Sequence, residues 1–367
     1  MLVKNFVQFS AGTLAYWLIG YGFAFGDAEG FIGDEYFGGK DWINDQQFRC
    51  FSYTGLVGIF VVYIVNGAVS ERLSYVSSIC FTLFLMVFAW PVVVSWVWGH
   101  GWLRTEMDEE ITDLGGSIVV YTFAGAFGLV ATLITGARAG KNSSVSGLVP
   151  FDMVNHEFYI IGSLLTVLGC FGIGFGQQST EMFGYALANL WICGGVTCLI
   201  TNQVVALWNP SLEMNLITVY QGFIAGMVLI SSAGFNTTPW QAGLHGILSS
   251  FAFISGLLLV KWTKLDDPVN IISTFLLPGI CGGILPGFVD DVRGVYWTGW
   301  ESGQLLGVQT VGTVVVFAWA CFWSFVTFGL LWIGHILLID DSLQTSGLAK
   351  AKLTQAGYQY VVPVPED

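Results

Sequence analysis

Charge is what this sequence has least of. Asp, Glu, Lys and Arg make up 10% of its 367 residues, against roughly 25% in an average soluble domain. So few charges cannot cover the surface of a soluble protein of this length. That excludes an ordinary cytosolic enzyme, a nucleic-acid-binding protein and a disordered chain together. Basic residues are the scarcer sign: Lys plus Arg is 12 and Asp plus Glu is 25, a formal net charge of −13. Histidine occurs four times. The sequence holds no Cys-x-x-Cys pair, no phosphate-binding glycine loop, no Ser/His/Asp set and no carboxylate pair inside an apolar run. Nothing in that inventory argues for an enzyme, a metal site or a cofactor. A cleavable signal peptide is also missing, since the apolar run that starts near Met1 is long enough to span a bilayer.

What is present is apolar. Residues A, V, I, L, M, F, W, Y and C make up 54% of the chain, mean hydropathy is +0.69, and there are 47 glycines and 15 tryptophans. Glycine lets membrane helices approach closely, and tryptophan collects at bilayer interfaces. The pattern predicts an all-α, polytopic membrane helical bundle of about ten transmembrane helices, each needing about 20 apolar residues. The spans fall near 5–25, 50–69, 75–98, 117–137, 158–176, 183–207, 213–232, 240–260, 269–289 and 303–337. Residues 1–340 form the membrane domain and 341–367 a short tail. With ten spans both termini share one side. Counting Lys and Arg in the loops places eight on that side and four on the other, so the positive-inside rule puts both termini inside, facing cytoplasm or an organelle matrix. Most acidic loop residues then face outward. Asn236-Thr237-Thr238 is a glycosylation sequon on the outer side, close against a span. The seven cysteines, Cys50, Cys80, Cys170, Cys193, Cys198, Cys281 and Cys321, all fall in apolar runs and read as small buried hydrophobes.

Several blocks, in order and over nearly the whole chain, resemble the ammonium transporter family. LAYWLIGYGFAFG at Leu14–Gly26 is similar to its second helix, and NGAVSER at Asn66–Arg72 to its GAVAER motif. SWVWGHGWL at Ser95–Leu103 resembles its pore-mouth segment and DLGGSIVVY at Asp113–Tyr121 its DFAGGTVVH. Pro210–Gly226, DDPVN at Asp266–Asn270, GQLL at Gly303–Leu306 and the tail Gly347–Tyr358 follow in register. The resemblance implies the family's fold and a pore for ammonium. Moving that cation is a problem of dehydration: a bare charge in hydrocarbon is prohibitively costly, so it tends to shed its proton. Family pores carry an aromatic mouth for cation–π attraction, a phenylalanine gate, and two facing histidines that donate and accept protons.

At the matching positions this chain departs. The first histidine aligns with Tyr121 and the second with Phe275. The upper gate phenylalanine aligns with Val57. The segment Gly169–Gln177 puts Cys170 at a tryptophan, Ile173 at the lower gate phenylalanine and Gln177 at a serine. The aspartate five residues before the second histidine is Asn270. Trp98, Tyr53 and Asp113 survive at the mouth. Each also has a plainer reading: Trp98 as an interfacial anchor, Asp113 as a helix N-cap, Tyr121 and Phe275 as core packing. His100 and His156 lie in loops. His245 and His335 lie in spans but match no pore position, and a neutral histidine can satisfy itself against a helix carbonyl. The family's first helix, part of its trimer interface, has no counterpart before Lys4-Asn5, which weakens the implication of a homotrimer.

Two functions follow from this pattern. The lost histidines and gate residues favour a non-transporting accessory subunit of a larger membrane assembly, with lipids and other membrane subunits as partners and an organellar inner membrane, such as the mitochondrial one, as its location. The alternative is a transporter or channel for ammonium or ammonia at the plasma membrane. The degenerate tail argues against a sensor.

Overall fold

In the computed structural model the described residues are 2–27, 30–138, 156–175, 182–208, 216–234, 236–299 and 303–339. Among them are ten long helical segments. The first, α1, runs Leu2–Ala15, through a π-helical turn at Tyr16–Gly20, to Tyr21–Phe25. Then come α2 (Asp45–Val69), α3 (Tyr75–Val97), α4 (Ser117–Thr135), α5 (His156–Phe175), α6 (Phe183–Trp208), α7 (Leu216–Ile230), α8 (Pro239–Thr263), α9 (Ile272–Val289) and α10 (Gln304–Ile333). Eight of these are long and apolar enough to cross a membrane, fewer than the ten expected. The shortfall has two sources. The apolar part of α7, Ile217–Ile230, is short, and the expected start of that span lies outside the described residues. In α1 the polar residues Lys4, Asn5, Gln8, Ser10 and Thr13 lower the hydropathy; its π-helical turn is not the cause, since α3, α4 and α9 carry one too and are among the eight. The tail 341–367 and Gln177 also lie outside the described residues.

Local chemistry sets the ends of these helices. Asn44 caps α2 by accepting from the Gln47 N–H (3.0 Å), while the Gln47 side chain accepts from the Asn44 N–H (3.3 Å), a reciprocal box that satisfies two orphan donors. Ser74 caps α3 through the Ser77 N–H (3.1 Å). Pro239 opens α8 at a position whose N–H has no helical partner.

The centre of the bundle is a matched pair. Asp113 precedes α4 and Asp267 precedes α9. Each carboxylate accepts a backbone N–H five residues on, from Ile118 (3.0 Å) and Ile272 (3.1 Å) respectively. Three residues after each Asp the backbone turns left-handed, at Gly116 (φ 86°) and Asn270 (φ 54°). Each helix then starts with a π-helical turn, Ser117–Thr122 and Ile272–Leu276. Each places an aromatic eight residues after its Asp: Tyr121 and Phe275. The two helices run antiparallel in close contact. A Cβ on Gly125 would stand 2.7 Å from the Leu276 Cα, and one on Gly279 would stand 2.9 Å from the Thr122 nitrogen, so only glycine permits the approach.

Polar clamps close both ends. At the Asp267 end, Arg72, 1% exposed, donates to Asp266 (2.9 Å), Thr135 (3.0 Å) and the Ala68 carbonyl (3.1 Å). Arg138 joins the same carboxylate and reaches Glu71. At the Asp113 end, Asp290 accepts from Asn236 (2.9 Å) and the Arg293 N–H (2.9 Å). The Asn236 side-chain amide is thus engaged, half-buried, beside a fully buried Thr237. His335 sits exposed and left-handed (φ 54°) just past α10, outside the span expected to hold it.

Candidate functional site

The residues expected at the mouth lie at the Asp113 end. Trp98 is 7% exposed and stacks at a tilt on Tyr53, ring centroids 6.2 Å apart. Its indole N–H donates to the Asp113 carbonyl (2.7 Å). An interfacial anchor would face lipid headgroups; this ring is buried and fixed. The Tyr53 hydroxyl donates to the Ile173 carbonyl (2.8 Å), which ties α2 to α5. Asp113 is 4% exposed. Its Oδ2 accepts from the Ile118 and Val119 N–H groups (3.0 and 2.8 Å), and its Oδ1 has no partner. The helix-capping reading is therefore what the geometry contains. Burial pushes the Asp113 carboxyl up to about 7 against the pull of those backbone N–H groups.

One turn inward stands Val57, buried at 3%. Beneath it the rings close. Tyr121 and Phe275 lie parallel, centroids 5.9 Å apart and planes 9° apart. Phe60 meets both edge-on, at 6.3 and 6.4 Å. Tyr121 is fully buried and its hydroxyl has no partner within hydrogen-bonding geometry. Cys170, buried at 1%, and Ser231 face that hydroxyl. Asn270 is not directed along the pore: its amide donates to Gln221 Oε1 (2.8 Å), and Gln221 donates to the Val269 carbonyl (2.9 Å).

The structure thus brings together Tyr53, Trp98, Asp113 and Ile173 at one level and Tyr121, Phe275 and Cys170 at the next, with Val57 between. Asn270 stands apart. Phe60 and Gln221 were missed from the sequence. Phe60 shared a signal with its neighbours, since Tyr53, Val57 and Phe60 follow the i, i+4, i+7 spacing of one helix face; Gln221 had none. His245 is 5% exposed with an unpartnered Nδ1, so it is not satisfied there by a helix carbonyl as expected. No group of three or more metal-binding side chains occurs among the described residues.

A family model described as Ammonium Transporter Family matches residues 1–358. The chain belongs to the ammonium transporter family. It is 28% identical to "Ammonium transporter 1 member 3" of Solanum lycopersicum, over 88% of this chain and 74% of that one. It is also 28% identical to "Ammonium transporter 1 member 1" of Oryza sativa subsp. japonica, over 98% and 79%. Two solved structures share its fold. "Sensor Amt Protein" has a TM-score of 0.85 at 22% identity, over 95% and 89% of the two chains. Mep2 of Saccharomyces cerevisiae has a TM-score of 0.78 at 21% identity, over 93% and 82%.

Proposed function

We propose that this family member passes ammonia, as the neutral molecule, across the membrane in which it sits, with the Asp113 end outward. The observation that carries the reading is the pore's division of labour. A fixed aromatic pair, Tyr53 and Trp98, stands where a cation is attracted. Below it the described positions Val57 and Phe275 offer no charge and no proton carrier, and Tyr121 offers one unpartnered hydroxyl. Ammonium gathered at the mouth leaves its proton to water and continues as ammonia, since the bare cation cannot enter an apolar constriction. The Tyr121 hydroxyl can donate to ammonia's lone pair or accept from its N–H. The relatives named ammonium transporters support the same substrate, and the distribution of Lys and Arg supports the orientation.

The test is ammonia entry into proteoliposomes carrying a pH-sensitive dye, followed by stopped flow. Alkalinisation faster than in protein-free vesicles, with no accompanying current, is expected. Rates equal to empty vesicles refute the reading.

A second reading is the accessory subunit of a larger membrane assembly. One observation favours it: the Phe60, Tyr121 and Phe275 rings are in mutual contact at the positions expected to line the pore. It requires comigration with a complex much larger than a homo-oligomer on native gels, and a clean small oligomer counts against it.

A further inference from the structure

We infer that Phe60 is the gating and size-selecting residue of this pore, an inference that rests on the reading of the pore as a route for ammonia. The three centroids of Phe60, Tyr121 and Phe275 form a nearly equilateral triangle with sides of 6.3, 6.4 and 5.9 Å. Rings at such separations are in contact, so a solute crosses only if one of them swings aside.

The structure singles out which one. Tyr121 is fully buried and Phe275 is 8% exposed. Both stand on π-helical turns whose first N–H groups are held by a buried carboxylate, Asp113 or Asp267. Both are also pinned by the close glycine contacts between α4 and α9. Phe60 stands on an uninterrupted stretch of α2 and is only partly buried. It packs edge-on, so rotation about its own side-chain torsions moves it without disturbing the parallel pair.

Its place along α2 fits the task. Tyr53, Val57 and Phe60 descend one helix face, so a solute leaving the mouth passes the small Val57 and then meets Phe60. Val57 is itself buried at 3%, so the constriction begins at its level, and the Phe60 ring closes it one turn deeper. Gating by a single swinging phenylalanine also sets a size limit, because the space it vacates is that of one ring.

The test uses the purified full chain in proteoliposomes, comparing wild type, Phe60→Ala, Phe60→Trp and the lipid-facing control Leu133→Ala. Two solutes are followed, ammonia by intravesicular pH and methylamine by radiolabel. Phe60→Ala is expected to raise ammonia permeability on the order of tenfold and to raise methylamine more than ammonia. Phe60→Trp is expected to slow both, and Leu133→Ala to leave both unchanged. The shift in the methylamine-to-ammonia ratio is a readout that a merely structural role would not move. Monodisperse elution in detergent shows which variants fold; if Phe60→Ala does not, Phe60→Leu takes its place. A permeable wild type whose rates and ratio ignore both Phe60 substitutions overturns the gate and leaves ammonia transport standing. An impermeable wild type opened by Phe60→Ala upholds the gate and overturns transport by the native chain. If neither passes either solute, both fall.

Discussion

Replacing Asp266 by alanine tests how far the fold depends on its buried charges. The Asp266 carboxylate accepts four N–H groups: Arg72 Nη1 (2.9 Å), the Arg138 backbone N–H (2.9 Å), Arg138 Nε (2.8 Å) and Arg138 Nη2 (2.9 Å). Its own backbone carbonyl takes a fifth from Arg72 Nη2 (3.0 Å). The side chains of Arg72 and Asp266 are each 1% exposed, so neither charge can turn to water when its partner goes. Removing one member of a buried pair costs about 3–5 kcal/mol, because it strands the other. By contrast Glu71, half exposed, also pairs with Arg138, and Glu71→Gln should cost no more than about 1 kcal/mol. The mechanism makes a sharper demand. In Asp266→Ala the loss comes from the stranded Arg72 guanidinium, so adding Arg72→Met should recover part of it. Unfolding in mixed micelles, titrated with denaturing detergent and read by tryptophan fluorescence, gives the differences. A loss under about 1 kcal/mol for Asp266→Ala, or a double variant as unstable as the sum of the singles, refutes the reasoning.

Two further substitutions probe the pore. Asp113 in the folded chain titrates near 7, raised from 3.8 by burial. The folded state therefore holds its proton more tightly than the unfolded state does. The stability this contributes is full below pH 3.8 and is lost as pH rises towards 7, at about 1.4 kcal/mol per pKa unit. Asp113→Asn, which keeps an oxygen for the Ile118 and Val119 N–H groups, should flatten the fall in stability between pH 4 and pH 7 seen in wild-type melts; an unchanged slope refutes the assignment. Tyr121→Phe deletes a buried hydroxyl without a partner. It should leave stability unchanged or raise it by about 1–3 kcal/mol, while slowing ammonia entry if that hydroxyl serves the solute; a loss of stability shows that the hydroxyl is bonded.

Eight of the ten helical segments were legible because each carries an apolar run long enough to cross a membrane, and the ordered motif blocks carried the family. Trp98, Tyr53 and Asp113 were singled out by the family resemblance, and they do stand together, Trp98 on the Tyr53 ring and bonded to the Asp113 carbonyl. Three things were not legible. Trp98 faces inward rather than to the interface, and composition does not say which way an indole points. Asn270 pairs with Gln221 across 49 residues, and no local pattern announces a partner that distant. The closure of the pore by Phe60 needed the positions of three helices at once, since each ring alone reads as ordinary core.

The matched halves explain how a pore can change its chemistry and keep its fold. Asp113 and Asp267 bond to backbone N–H groups, and the close contacts of α4 and α9 fall on glycine, so neither depends on the side chains at 121 and 275. Exchange at those two positions should therefore be tolerated. In Tyr121→His with Phe275→His each site loses part of one ring's burial, which bounds the cost at about 1.5–3 kcal/mol per site. Over both sites that is at most about 3–6 kcal/mol, the same range as the about 3–5 kcal/mol of Asp266→Ala. The variant should elute as the wild type does. It should also gain what the native pore lacks: imidazoles that donate and accept protons along the path. A methylammonium-dependent current in proteoliposomes, absent from the wild type, is the expected result. A folded variant that still passes only the neutral solute would mean that the Phe60 ring, and not the missing proton carriers, decides what crosses.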